Sequence, residues 1–105
     1  MAKQYRLGSI AQIPPGEGRT FEVGGREVAV FHTRTGGIYA TQAQCPHKAG
    51  PLADGMVGDA TLVCPLHEWR FDLTSGSSLN GQCSIATYPV QTTAEREILL
   101  TLDGA

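Results

Sequence analysis

Cys45-Pro46-His47 and, after sixteen intervening residues, Cys64-Pro65-Leu66-His67 form the stretch on which the reading of this chain turns. Each segment offers one thiolate and one imidazole. A four-donor set of this kind holds zinc or iron–sulfur. The order of the donors bears on which. A Cys2His2 zinc finger places both cysteines ahead of both histidines, whereas here the order is Cys, His, Cys, His. Two irons bridged by two sulfides need two protein ligands each. A pair of loops, each giving one Cys and one His, can supply both thiolates to one iron and both imidazoles to the other. A zinc-binding structural or interaction module is the alternative of another class.

The spacing Cys-x-His, sixteen residues, Cys-x-x-His resembles the Rieske [2Fe-2S] family from Cys45 to about Asp72. The resemblance implies an all-β fold: a Rieske-type antiparallel β-sandwich with a small cluster-binding subdomain, about residues 43–75, formed by two ligand loops. It also implies one [2Fe-2S] cluster per chain, with Cys45, His47, Cys64 and His67 as cofactor and metal ligands, and a role in electron transfer. Residues two apart in an extended segment point to one side, which suits Cys45 and His47. Cys64-x-x-His67 suits a turn.

Charge explains what two histidines do to such a cluster. Two ferric ions, two sulfides and two thiolates cancel when both imidazoles are neutral, whereas four thiolates leave the same core negative. An electron enters a neutral cluster more readily, so the reduction potential rises above that of a four-cysteine ferredoxin. Within the range of about −150 to +300 mV, hydrogen bonds to the cluster decide the position. High-potential members carry a further cysteine in each ligand loop and a serine and a tyrosine that donate to cluster sulfurs. At those positions this chain has Gly50, Leu66, Trp69 and Phe71. That composition implies a low-potential, ferredoxin-type protein.

Two groups of the family share these loops. Lys48 after the first histidine and Trp69 two residues after the second resemble the small subunit of assimilatory NAD(P)H-dependent nitrite reductase. That resemblance implies a large partner subunit carrying siroheme, a [4Fe-4S] cluster and FAD, and a complex that reduces nitrite to ammonia. Pro51-Leu52 and Pro65-Leu66-His67 are shared with the ferredoxin of aromatic-ring-hydroxylating dioxygenases, whose partners would be a reductase and an oxygenase. Neither resemblance makes the chain catalytic alone. No paired acid and base, activated nucleophile or phosphate-binding glycine loop stands out.

The remainder of the sequence bounds these readings. At 105 residues the chain is expected to be a single domain, residues 1–105, with one core. No apolar run reaches the roughly 18 residues of a membrane span, and the start does not lead into a signal-peptide-like stretch. A net charge of −2 without long runs of one sign offers no evident footprint for nucleic acid or an anionic membrane. With two of three cysteines claimed as ligands, Cys83 has no disulfide partner left. A cytoplasmic protein is expected. Cys83 reads as a small apolar filler, and His32, in an apolar run, as a satisfied core histidine.

Short strands and tight turns fill the chain. Strands are expected around Tyr5–Leu7, Arg19–Val23, Arg26–Thr33, Ile38–Thr41, Thr61–Val63, Glu68–Leu73, Ala86–Val90 and Glu97–Leu102. Gly24-Gly25 supplies a two-residue hairpin turn. Further turns are expected at Thr35–Gly37 and Thr74–Gly76, and residues 50–59 hold too many breakers for a long helix. The pattern argues for a sandwich or barrel.

Overall fold

Residues Val28 to Thr33 are all buried, and the reason is that their strand has a core on each side. Side chains along a strand alternate between faces. Val28 and Val30 enter one apolar cluster with Ile98, Leu100 and Leu102, whereas Ala29 and Phe31 enter a second with Leu52, Leu62 and Phe71. The continuous apolar run of this strand therefore marks the middle layer of a three-layer molecule. Fully burying each such Val, Leu or Phe contributes about 1.5–3 kcal/mol.

The computed structural model describes residues 2–44, 52–58, 60–63, 70–78 and 84–103. In chain order the strands are β1 (Ala2–Ser9), β2 (Glu17–Val23), β3 (Arg26–His32), β4 (Ile38–Gln42), β5 (Met56–Val57), β6 (Thr61–Val63), β7 (Arg70–Asp72), β8 (Thr87–Tyr88), β9 (Val90–Thr92) and β10 (Glu97–Asp103). Single 3₁₀ turns stand at Ile10–Gln12 and Leu52–Asp54. The middle sheet runs β2-β3-β4-β8, one outer sheet β1-β10-β9, and the other, smaller sheet β5-β6-β7. Every pairing is antiparallel. The all-β expectation holds: among the described residues there is no α-helix, hence none long and apolar enough to cross a membrane.

The hairpin turn forms where expected. Gly24 and Gly25 have φ of 59° and 79°, and two successive positive φ values are what a type I′ turn requires. β2, β3 and β4 then form a meander, with Val30 paired to both Arg19 and Ala40. His32 is 8 % exposed and its Nδ1 lies 2.7 Å from the Ile13 carbonyl oxygen, so it is a satisfied core histidine.

Three expectations need correction, and one strand is new. The single strand expected over Ala86–Val90 is two, because the chain changes sheets at Pro89. Tyr88 pairs with Ala40 in the middle sheet, and Val90 pairs with Leu100 in the outer one. Proline has no N–H to give to either ladder. The first strand is longer than Tyr5–Leu7, since β10 supplies a partner from Ala2↔Asp103 to Ser9↔Glu97, with a bulge between Arg6 and Gly8. β5 lies within the glycine-rich 50–59 stretch, held by Met56↔Val63 and Val57↔Leu62. Finally, Leu73 is in a turn; β7 is described over Arg70–Asp72, and Glu68 and Trp69 lie outside the described residues.

Candidate metal centre

The backbone fixes the ends of two connections, residues 45–51 and 64–69. The first begins where β4 ends. The Leu52 amide donates to the Ala43 carbonyl at 2.9 Å, so the two ends of the first connection meet. Leu52 then buries its side chain completely in the cluster that contains Leu62 and Phe71. Gln42 pins the chain just before this loop. Its Nε2 donates to the Gln44 carbonyl at 2.7 Å while its Oε1 accepts from the Ala86 amide at 2.8 Å. Nothing in the sequence pointed to Gln42, which reads as an ordinary polar strand end; its role depends on Ala86, 44 positions away.

The second loop is a hairpin connection. Val63 and Arg70 are register partners on β6 and β7, so residues 64–69 join two adjacent antiparallel strands. The register also relates the loops to each other. Met56, a few residues after the first loop, is paired with Val63, directly before the second. The described residues that follow the first connection and flank the second therefore sit at the same end of the small sheet.

Beyond β7 the chain is fastened by Asp72. Its Oδ1 accepts from the Thr74 hydroxyl at 2.6 Å and the Thr74 amide at 2.8 Å, and its own carbonyl accepts from the Gly76 amide at 2.7 Å. The Thr74 hydroxyl and then the Thr74 amide favour the ionised carboxylate and hold its pKa below the usual aspartate range. Phe71, one of the two positions aligned with hydroxyl donors, is wholly buried and paired with Leu62, and it bridges to Ser78. The Ser78 hydroxyl oxygen is buried and has no hydrogen-bond partner among the described residues.

Cys45, His47, Cys64 and His67 lie outside the described residues, as do Lys48, Gly50, Leu66, Trp69 and Cys83. What is described is the frame that carries the four residues expected from the sequence to be ligands. Among the described residues no group of three or more His, Cys, Asp or Glu could hold a metal. All three cysteines, Cys45, Cys64 and Cys83, fall in the two connections and the 79–83 segment, and His32, the histidine among the described residues, is committed to the Ile13 carbonyl. Two thiolates and two imidazoles on neighbouring loops suit a [2Fe-2S] cluster of mixed ligation.

Comparison with known proteins decides the metal that donor chemistry alone left open. Residues 3–91 match the Rieske [2Fe-2S] domain family. The ferredoxin component of a naphthalene 1,2-dioxygenase system from Pseudomonas aeruginosa is 34 % identical over 93 residues, covering 87 % of this chain and 88 % of that protein. Among solved structures, a candidate NADH-dependent nitrite reductase small subunit from Mycobacterium tuberculosis superposes with a TM-score of 0.91 at 23 % identity, covering 100 % of this chain and 99 % of the other, and it shares the fold. The ferredoxin of carbazole 1,9a-dioxygenase from Nocardioides aromaticivorans gives a TM-score of 0.81 at 29 % identity, over 93 % of this chain and 96 % of the other. These matches favour iron over zinc. The chain belongs to the Rieske [2Fe-2S] domain family, and it is an electron-transfer domain whose cofactor is a Rieske-type [2Fe-2S] cluster.

Proposed function

We propose that Cys45 and Cys64 ligate one iron of this cluster and His47 and His67 the other, and that the chain carries single electrons to a larger redox partner. The observation that carries this reading is the register Met56↔Val63 with Val63↔Arg70, which puts the stems of both loops at one end of the small sheet. The cluster's own contribution is to accept and release one electron. Around it, the middle sheet fixes the foot of the first loop through Gln42 and Ala43, and the small sheet fixes both ends of the second.

The partner we favour is the large subunit of an assimilatory nitrite reductase, holding siroheme, [4Fe-4S] and FAD, with this chain as the small subunit working in the cytoplasm. Lys48 and Trp69 support it, since both follow the ligands as they do in that group. A second reading, the ferredoxin of a ring-hydroxylating dioxygenase, is favoured by sequence identity along nearly the whole of such a component. On either reading, catalysis resides in the partner.

Iron and acid-labile sulfide analysis of anaerobically purified protein tests the cofactor; two of each are expected, and one zinc without sulfide would refute it. Reconstitution tests the partner. Omitting the chain is expected to depress NAD(P)H-dependent nitrite reduction by the large subunit. Support of aromatic hydroxylation, with no effect on nitrite reduction, would overturn the choice in favour of the dioxygenase.

A further inference from the structure

The chain leaving the first loop passes hard against the strand that enters the second, and the contact is made at Gly55. A Cβ built there would overlap the Val63 carbonyl oxygen and would stand 2.9 Å from Leu62 Cδ1 and 3.1 Å from the Leu52 carbonyl oxygen. Gly55 is not among the residues with positive φ, so glycine is required here for room and not for backbone conformation. Two of the three obstructing atoms belong to main chain and cannot rotate away. Val63 immediately precedes Cys64, and Leu52 closes the first loop on Ala43. The Gly55 amide in turn donates to the Leu52 carbonyl at 2.9 Å.

From this contact we infer that Gly55 is a positioning residue that sets the separation of the two ligand-bearing loops, and so the tightness with which the cluster is held. The inference rests on the ligand assignment proposed above. A cluster bridging two loops needs both stems at one fixed distance. A side chain at position 55 has to move the β5 side of the small sheet away from Val63, and the first loop moves with it. Gly58, three residues on, is a contrast, because the nearest atom to its added Cβ is the Thr61 carbonyl oxygen at 3.9 Å, an ordinary contact. Gly76 is a second contrast. A Cβ there would overlap the Ile85 carbonyl oxygen at a φ of +81°, so substitution is strained, yet the contact does not lie between the two stems.

The test uses holoprotein carrying Gly55→Ala, Gly58→Ala or Gly76→Ala. Three readouts are compared: iron release to a ferrous chelator, the EPR g values of the reduced cluster, and thermal unfolding. Gly55→Ala is expected to release iron roughly tenfold faster than the native protein, the scale seen when supports of metal ligands are lost, and to shift the g values. Gly58→Ala is expected to match the native protein, and Gly76→Ala to lose thermal stability while keeping native g values. Native release and g values in Gly55→Ala would overturn the inference, and so would an equal g shift in Gly76→Ala. Should Gly55→Ala fail to accumulate, Leu62→Val shortens the side chain whose Cδ1 stands 2.9 Å from where a Gly55 Cβ would be, at a milder cost. It is expected to speed release by a smaller factor, and native behaviour there would also overturn the inference. Failure of the ligand assignment is read separately, as unaltered native protein lacking two irons and two sulfides.

Discussion

Leu52→Ala should loosen the cluster out of proportion to its effect on the fold, and a matched substitution makes this measurable. Leu52 and Leu100 are both wholly buried, but in different cores: Leu52 between the middle and small sheets, Leu100 between the middle sheet and the terminal sheet, β1-β10-β9. Truncating a buried leucine to alanine costs about 2–5 kcal/mol, through lost transfer free energy and the cavity left behind. Against a total stability of about 5–15 kcal/mol, either variant should remain folded at low temperature. Each kcal/mol corresponds to about 4–8 °C for a domain near this size, so both melting temperatures should fall by about 10 °C or more. The difference lies in what each leucine anchors. Leu52 is the exit of the first loop, its amide tied to Ala43, whereas Leu100 is paired to Tyr5 and Val90 in the terminal sheet. Measured well below both melting transitions, iron release to a chelator should be several-fold faster in Leu52→Ala than in Leu100→Ala. Equal release rates at matched destabilisation would refute the argument, showing that the cluster responds only to global stability.

Further outcomes follow from charge and hydrogen bonding. Phe71→Tyr combined with Trp69→Ser should raise the reduction potential if the added hydroxyls donate to cluster sulfurs, and an unchanged voltammetric midpoint in an intact double variant would show that they do not reach it. His67→Cys adds a thiolate to the oxidised cluster, so the midpoint should fall or the cluster be lost; an intact variant with an equal or higher potential would contradict the ligand assignment. Asp72 has a folded-state pKa below its unfolded value, so its carboxylate contributes stability above the ordinary aspartate pKa and loses that contribution as pH falls through the folded value. Asp72→Asn should accordingly be less stable than the native protein at neutral pH, with the gap closing below about pH 3.9 in pH-resolved melts. A gap independent of pH would mean that the charge is not what Thr74 stabilises.

Local chemistry carried the reading from sequence a long way. The cluster type was legible because a thiol or imidazole has its donor character wherever the chain goes, and the order Cys, His, Cys, His set the candidate ligands apart from the common zinc finger before any fold was known. Gly24-Gly25 was legible because positive φ is a property of the residue, and the β2–β3 hairpin followed from it. Pairing partners were not legible. That β1 meets β10 across the length of the chain, that Pro89 divides one apolar segment between two sheets, and that β3 is buried on both faces all depend on which strands meet, a long-range matter that no window of sequence encodes. Gln42 and Gly55 were missed for the same reason. One donates to the Gln44 carbonyl while it is itself held by the Ala86 amide 44 positions away, and the other matters because a carbonyl of another strand occupies the space where its side chain would go. Which atoms will bind a cluster is written in residue identity, whereas how far apart they are held is set by backbone packing between segments that adjoin only after folding.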